Sequence, residues 1–253
     1  MRVAIVHDWL TGMRGGERVL EAMIELFPDA ELFTLLHAAR SVSARIEARP
    51  IHTSFLQHLP GLHRRYRYAL PLFPFAIEGL RPTGFELVLS SSHCVVKAVR
   101  TPPSTVHVCY CHTPMRYIWD EYDAYFGRGR AAWHVRTAMR VLAPALRRWD
   151  RRTAGRVDAF IANSAFVRDR IRRLYGRDAT VVHPPVDIER FAPAPRRTET
   201  YLIVSALVAY KRIDRAIAAF NTLNRPLAIA GDGPERGRLQ RMAGRHITFL
   251  GRV

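Results

Sequence analysis

The sequence predicts an α/β protein built on parallel sheets, and two observations support this fold class. Short, continuously apolar runs recur along the 253 residues, as in strands that are covered on both faces. Helix-like runs such as 16–26 and 165–175 lie between them, and this alternation is typical of parallel sheets. The predicted strands are, in chain order, 2–6, 86–90, 105–111, 159–162, 180–182, 201–204, 226–230 and 246–250.

A proline-rich polar segment, residues 184–199, divides this alternation into two blocks. We therefore predict one α/β domain at 1–183, a linker, and a second α/β domain at 200–253. The second block stops after its third predicted strand. The second domain is thus expected to be incomplete, and the chain is expected to be a fragment of a longer product.

The composition indicates a globular protein with a strong positive charge. Lys and Arg total 39 against 22 Asp and Glu, a net charge of +17, and 48% of the residues are hydrophobic. The positive residues are spread along the chain, so nucleic acid, an anionic membrane and anionic small molecules all remain open as partners. The cysteines are too few for a disulfide framework and indicate a reducing compartment. They are Cys94, Cys109 and Cys111.

The N-terminal residues predict a buried strand and not a signal peptide, and no apolar run reaches the ~18 residues of a membrane span. The expected location is cytoplasmic. Two segments nevertheless suggest contact with the inner face of the plasma membrane. One is the aromatic and proline-rich tract 66–75, which is preceded by Arg64, Arg65 and Arg67. The alternative to membrane contact is that this tract forms a loop that packs on the core.

The other segment is a predicted helix at 135–152, in which Pro144 is expected to introduce a kink. Its apolar stripe would face the core, while its arginines lie on another face that is either solvated or in contact with a membrane. The stripe is Val135, Met139, Leu142, Leu146 and Trp149, and the arginines are Arg136, Arg140, Arg147 and Arg151.

Glycine pairs follow two of the predicted strands. Gly15 and Gly16 lie between the first strand and a helix, where a glycine pair lets backbone N–H groups approach an anion or simply allows close packing. Neither this turn nor Gly231–Gly233 has the G-x-G-x-x-G spacing of a dinucleotide site, which disfavours a nicotinamide enzyme. Lys211 and Arg212 follow the strand before Gly231, and a cationic pair beside a glycine turn at this edge is typical of a phosphate site.

Cys109, Cys111 and His112 end another predicted strand. No second cluster offers further ligands at zinc-site spacing, so a metal is disfavoured and the cysteines are expected to be small buried side chains. His112 would lie at the carboxyl edge of the sheet, where α/β proteins bind ligands, so both a structural and a ligand-binding role are open.

Seven short motifs occur in a fixed order along the chain. They are His7-Asp8-Trp9, Gly15-Gly16-Glu17, Cys111-His112-Thr113-Pro114-Met115-Arg116-Tyr117, Asn163-Ser164, His183-Pro184-Pro185-Val186-Asp187, Tyr210-Lys211-Arg212-Ile213-Asp214 and Gly231-Asp232-Gly233-Pro234. As an ordered set they resemble the retaining glycosyltransferases of family 4, especially bacterial mannosyltransferase-like members of polysaccharide assembly. The resemblance covers essentially the whole chain.

This resemblance implies the GT-B fold, in which two Rossmann-like domains face each other across a cleft. The second domain would hold a nucleotide-sugar, either GDP-mannose or a UDP-hexose, and the first would mainly receive a glycan or lipid-linked acceptor. Gly15 and Gly16 would lie against the donor phosphate and the reacting sugar. His112 matches a histidine that contacts the donor sugar, and Lys211 matches a lysine that neutralises the leaving diphosphate, so both are expected to be catalytic.

The remaining site residues are also implied by the resemblance. Gly231 and Gly233 match a turn close to the nucleotide. An arginine found in many family members is replaced here by Ala206, and we expect Arg212 to supply part of that charge. Residues expected on the acceptor side are Asp8, Trp9, Arg116 and Tyr117.

The resemblance therefore predicts hexose transfer with retention, by front-side attack, in cell-surface polysaccharide synthesis. Fixed cations and N–H groups would stabilise the leaving diphosphate without a metal or cofactor. Family members carry a pair of glutamates further along the second domain, beyond the last residue here, so the fragment alone is expected to be inactive. One alternative is a truncated, non-catalytic nucleotide- or partner-binding module. A nucleic-acid-binding protein is the other, suggested by the charge but unsupported by any known motif.

Overall fold

The computed structural model describes residues 1–62, 66–190 and 198–252. The chain divides into two compact units, Met1–Val186 and Asp187–Val253. The boundary between them falls within the predicted linker, 184–199.

The first unit contains a seven-stranded sheet in the order β3-β2-β1-β4-β5-β6-β7, and every neighbouring pair is parallel. The order reverses between β1 and β4, as in doubly wound nucleotide-binding folds. The strands are β1 (Val3–His7), β2 (Glu31–Thr34), β3 (Ile51–Thr53), β4 (Leu87–Ser92), β5 (Val106–Cys111), β6 (Ala159–Ala162) and β7 (Thr180–Val181).

The second unit contains a three-stranded parallel sheet in the order β10-β9-β8. Its strands are β8 (Tyr201–Val204), β9 (Leu227–Ala230) and β10 (Ile247–Gly251). A core of leucine and isoleucine side chains, among them Leu207, Ile217 and Ile229, joins this sheet to its helices. The predicted α/β fold class is confirmed in both units.

Helices connect the strands. They are α1 (Gly15–Leu26), α2 (Ala44–Glu47), α3 (Phe73–Gly79), α4 (Tyr122–Phe126), α5 (Trp133–Thr153), α6 (Ala165–Tyr175), α7 (Ile213–Leu223) and α8 (Arg236–Met242). Shorter 3₁₀ turns include Tyr66–Leu72, Val96–Ala98 and Ala209–Lys211.

Strand β1 has an apolar side chain on each face of the sheet, as its continuous apolar run predicts. Val3 and Ile5 pack with side chains of α1, including Leu20, while Ala4 and Val6 pack with the opposite layer. Both faces are therefore covered, which is typical of a parallel sheet. Two of the strands, β2 and β3, are absent from the sequence prediction.

The tract 66–75 packs largely on the core, which was the alternative to membrane contact. Tyr66, Leu70 and Phe73 are buried, while Phe75 is 70% exposed. The preceding residues Arg64 and Arg65 lie outside the described part of the chain.

Helix α5 agrees with the predicted pattern and continues through Pro144. Met139 and Leu146 of the apolar stripe are buried. Two of the arginines on the other face contact the protein: Arg147 Nε donates to the Ile118 carbonyl at 2.5 Å, and Arg151 Nε donates to the Leu174 carbonyl at 3.0 Å.

A buried ion pair connects α5 to the turn after β4. Lys97 Nζ lies 2.9 Å from Asp150 Oδ1, and both side chains are almost completely buried. The other carboxylate oxygen of Asp150 accepts hydrogen bonds from Trp119 and Tyr175. Within the described residues, no helix is both long and apolar enough to cross a bilayer.

Candidate active site

The candidate site of the first unit lies at the carboxyl ends of β1, β4 and β5. The register pairs His7 with Ser91, and Ser92 with Cys111. His112 follows Cys111, and its backbone N–H donates to the Ser92 carbonyl at 2.8 Å. This edge includes the point where the strand order reverses, which is where doubly wound folds bind ligands.

Four side chains at this edge form a continuous series. Glu17 Oε1 lies 3.7 Å from His7 Nε2, slightly beyond hydrogen-bond length. His7 Nδ1 lies 3.0 Å from Ser91 Oγ, and Ser91 Oγ lies 2.9 Å from His112 Nε2. Glu17, His7 and Ser91 are buried, whereas His112 is half-buried.

Burial and neighbouring charges shift the pKa values of these groups. Burial, followed by the charges of His93 and His7, lowers the pKa of His112 to about 3, so His112 is neutral at physiological pH. Burial raises the pKa of Glu17, but the interactions with His7, with a backbone N–H and with the Arg14 charge together outweigh it, so the pKa is lowered. A neutral imidazole and a carboxylate therefore lie at opposite ends of the series.

Asn163 makes a further contact with the backbone of His112. Asn163 Nδ2 donates to the His112 carbonyl at 3.0 Å, and Asn163 follows β6, the strand beside β5. The Asn163 carbonyl oxygen lies 3.2 Å from His183 Nδ1. Asn163 thus supports the backbone of His112, and His183 in turn contacts Asn163.

Glycines 15 and 16 leave open space beside these histidines. A Cβ atom on Gly15 would meet nothing within 4 Å, and one on Gly16 would lie 3.5 Å from His7 Cε1 and 3.9 Å from His112 Nε2. The protein itself therefore does not require glycine at either position. The first turn of α1 has N–H groups without intrahelical partners, and they carry the positive end of the helix dipole.

Asp8 occupies a different place from the one expected of an acceptor contact. Its side chain is fully buried, and its two oxygens accept the backbone N–H groups of residues 93–96 at 2.7–3.1 Å. His93 Nδ1 also lies 3.1 Å from Asp8 Oδ2. These bonds occupy the carboxylate, so Asp8 connects the ends of β1 and β4 and offers no surface to an acceptor.

Trp9 is also buried, although it was expected on the acceptor side. It is 4% exposed and its ring lies 4.8 Å from that of Tyr66 and 5.9 Å from that of Phe73. The other two expected acceptor residues, Arg116 and Tyr117, are half-buried, and the guanidinium of Arg116 lies 5.7 Å from the Tyr117 ring. Burial raises the pKa of the Tyr117 hydroxyl.

In the second unit, the two predicted phosphate loops contact each other directly. Leu207 N–H donates to the Asp232 carbonyl at 2.9 Å, and Glu235 N–H donates to the Leu207 carbonyl at 3.0 Å. A Cβ on Gly231 would lie 1.9 Å from the Ser205 carbonyl oxygen, and one on Gly233 would lie 2.4 Å from the Leu207 carbonyl oxygen. Packing between the loops thus requires both glycines, and their role toward a nucleotide stays a prediction.

Arg212 and Lys211 differ in whether their positive charges are paired with a carboxylate. Arg212 has a left-handed backbone, and its guanidinium bonds both oxygens of Asp214 at 3.0 Å. Its charge is therefore paired with Asp214, and its expected role in replacing the arginine missing at Ala206 stays a prediction. Lys211 is exposed; its ammonium lies 5.9 Å from the Tyr210 ring and has no hydrogen bond or ion pair among the described residues.

Sequence reasoning missed part of this site: Glu17 as a partner of His7, and the polar residues Ser91, near the end of β4, and His93, just after it. The sequence did contain a signal for these residues: the polar run 90–93 follows an apolar strand, and such a run lies at the ligand-binding edge of the sheet. Cys109 and Cys111 are buried and free, as predicted. The described residues contain no group of three or more His, Cys, Asp or Glu side chains arranged to hold a metal.

The parallel α/β fold of these units is consistent with the Rossmann-like GT-B architecture of glycosyltransferases. The sequence profile of Glycosyltransferase Family 4 matches residues 13–190, and the chain belongs to this family. No curated protein matches the chain in sequence.

Solved glycosyltransferases share the fold at low sequence identity. HepE from Anabaena, in a complex with UDP, is 14% identical with a TM-score of 0.67, and the match covers 100% of this chain and 70% of HepE. The lipopolysaccharide outer core galactosyltransferase WaaB is 16% identical, with a TM-score of 0.59 over 100% of this chain and 68% of WaaB. WaaG, a glycosyltransferase involved in lipopolysaccharide biosynthesis, is 13% identical with a TM-score of 0.56, covering 99% and 70%.

Proposed function

We propose that this glycosyltransferase moves a hexose, mannose by its resemblance, from a nucleotide-sugar to a glycan or lipid-linked acceptor in cell-surface polysaccharide synthesis, with retention. One observation carries the proposal: Gly15 and Gly16 begin α1, Gly16 lies beside His7 and His112, and the space next to Gly15 is open. A helix N-terminus with small residues favours a phosphate group. The complex of HepE with UDP and glucose supports a UDP-hexose as donor, with GDP-mannose as the alternative.

The charges suggest how the residues share the reaction. Cleavage of a sugar–phosphate bond leaves negative charge on the diphosphate, and fixed cations and N–H groups stabilise it. Lys211 suits this role because its ammonium has no carboxylate partner among the described residues, whereas Arg212 is paired with Asp214. His112 is neutral, which suits it to orienting a sugar hydroxyl better than to neutralising a phosphate.

Donor binding tests this proposal without knowledge of the acceptor. We expect calorimetric titration with GDP-mannose, UDP-glucose and UDP-galactose to give binding of at least one donor. Lys211→Ala should weaken that binding by about tenfold or more, because it removes the cation assigned to the diphosphate. Arg215→Ala is the matched control, since it removes an exposed charge from the same region.

Gly15→Ala separates a ligand effect from a folding effect in the same titration. The new methyl group meets no protein atom, and alanine favours a helix by up to about 1 kcal/mol, so stability should be kept or increased. Donor affinity should fall because the methyl group occupies the space assigned to the ligand. If no nucleotide-sugar binds, or if Lys211→Ala and Arg215→Ala act alike, the assignment is wrong. Where transfer is measured, the anomeric NMR coupling of the product tests retention.

We further propose that the protein is cytoplasmic and attaches peripherally to the inner face of the plasma membrane. The net charge of +17 supports this, together with exposed arginines on α5 that have no partner among the described residues. These are Arg140, Arg148 and Arg152, and the last two line a cavity of about 480 Å³ with Trp119. Each basic residue near an anionic surface contributes about 1 kcal/mol, so attachment would be weak and reversible.

A further inference from the structure

In the series Glu17–His7–Ser91–His112, the chemistry of the side chains determines which group donates and which accepts each hydrogen bond. A serine hydroxyl has one hydrogen, and Ser91 Oγ lies between two ring nitrogens, His7 Nδ1 at 3.0 Å and His112 Nε2 at 2.9 Å. When both rings are neutral, Ser91 donates to one nitrogen and accepts an N–H from the other. Two arrangements satisfy this condition, and they place the His112 proton on different atoms.

Glu17 distinguishes the two arrangements. One of its oxygens, Oε2, accepts the Arg14 backbone N–H at 2.9 Å, and the other, Oε1, faces His7 Nε2 at 3.7 Å. An ionised carboxylate can only accept hydrogen bonds, so it favours a proton on His7 Nε2. The reverse arrangement would place a buried nitrogen lone pair against a buried carboxylate, which is unfavourable.

We propose that, when both imidazole rings are neutral, Glu17, His7 and Ser91 fix His112 in its Nε2–H tautomer and so present His112 Nδ1 as a hydrogen-bond acceptor. With His7 protonated on Nε2, its Nδ1 accepts the Ser91 hydroxyl hydrogen. Ser91 Oγ then accepts the His112 Nε2–H. His112 Nδ1 carries no proton and has no hydrogen-bond partner among the described residues.

The tautomer of His112 goes beyond the proposed function. Only its consequence for binding a sugar or an acceptor rests on the proposed function. A bare Nδ1 can take a hydrogen bond from a sugar or acceptor hydroxyl, but cannot donate one to the leaving diphosphate. Glu17, His7 and Ser91 are therefore positioning residues, since they act through His112.

The ring nitrogens of ¹⁵N-labelled histidine report the tautomer directly, because protonated and bare nitrogens have very different chemical shifts. We expect His112, assigned by loss of its signals in His112→Asn, to be in the Nε2–H form by about ten to one or more. The spectrum is recorded in mildly alkaline solution, where imidazoles are neutral. An Nδ1–H form of His112 in the native protein would overturn the proposal.

Glu17→Gln should reverse the series. The glutamine oxygen would keep the Arg14 N–H, while its amide N–H would face His7 Nε2 and move the His7 proton to Nδ1. Ser91 would then donate to His112 Nε2, and the His112 proton would move to Nδ1. Glu21→Gln, on the same helix and facing Arg18, is the matched control and should leave His112 unchanged.

Each outcome has a defined meaning. If Glu17→Gln folds and His112 keeps its native tautomer, Glu17 does not set it and the proposal fails. If Glu17→Gln does not fold, the native spectrum and Ser91→Ala decide, because loss of the bridging hydroxyl should give a mixture of tautomers. Failure of nucleotide-sugar binding would contradict the proposed function and leave this spectrum unaffected.

Discussion

Two buried carboxylates at the same sheet edge have different roles because their partners differ. Asp8 accepts four backbone N–H groups and connects two loops, whereas Glu17 has one oxygen directed at His7. The residue types and the burial of Asp8 and Glu17 do not by themselves distinguish these two roles. The number of hydrogen bonds that each oxygen already accepts separates a structural carboxylate from one that can influence a neighbouring side chain.

Buried histidines away from the ligand edge also have consequences, in stability. His107 is fully buried; its Nε2 lies 2.8 Å from Ser90 Oγ and its Nδ1 lies 3.2 Å from the Arg156 carbonyl. Burial lowers the pKa of His107 from 6.5 to about 4. Between these values the unfolded chain binds a proton that the folded chain does not, so stability falls as the pH decreases through this window.

We predict that acidification from about pH 7 to pH 4.5 costs about 2–3 kcal/mol of unfolding free energy through His107. Urea unfolding at the two pH values should therefore show a smaller pH dependence for His107→Gln than for the native chain. His134→Gln, at an exposed position on α5, is the control and should keep the native pH dependence. Equal pH dependences for all three proteins would contradict the assignment.

At the scale of elements, the Lys97–Asp150 pair holds helix α5 against the turn after β4. Lys97→Met should destabilise the first unit by about 3–5 kcal/mol, because it leaves the Asp150 carboxylate buried without its cation. Urea unfolding measures the change. The double variant with Asp150→Asn should recover part of the loss, since the uncompensated charge is gone. A loss of less than about 1 kcal/mol in Lys97→Met would show that Trp119 and Tyr175 suffice for Asp150.

The elements differ in how far the sequence predicts them. Strands such as β1 and β6 are continuous apolar runs, and their positions agree with prediction to within about a residue or two. Strand β2 (Glu31–Thr34) begins with a charge, and β3 (Ile51–Thr53) has only three residues, one a histidine. Pairing with a neighbouring strand, and not local pattern, forms such strands.

The site was predictable to a similar degree. Strand ends place His112 and Gly15 at one edge, because the carboxyl ends of parallel strands lie together. The burial of Asp8 and Trp9 could not be predicted, since it depends on a loop and a tract far away in the sequence. Arg212 pairs with Asp214 and has a left-handed backbone, which no propensity of arginine predicts.

At the scale of the molecule, the positive charge predicts reversible binding to anionic membranes. We expect co-sedimentation with vesicles that contain phosphatidylglycerol, loss of binding at high salt, and none with neutral vesicles. Because Arg147 and Arg151 bond backbone carbonyls, Arg148 and Arg152 are the better residues to change. Arg148→Ala with Arg152→Ala should reduce the bound fraction.

Neutralising Arg64, Arg65 and Arg67 should also weaken this binding, because these residues lead into the aromatic tract. Arg172→Ala is a control for charge alone, since Arg172 is exposed and paired with Asp178. Equal recovery with neutral and anionic vesicles would leave a lipid-linked acceptor as the only connection to the membrane.

The loop at residues 93–96 can also be regarded as an anion-binding site, and the anion that it binds is the carboxylate of Asp8, which belongs to the same chain. Its four N–H groups converge on Asp8, much as a nest of amides would surround a free acetate ion. Because the Asp8 carboxylate is part of the same chain, its effective concentration at the loop far exceeds that of any dissolved anion. Dissolved anions therefore do not displace Asp8, and the backbone at residues 93–96 keeps its shape beside the candidate site.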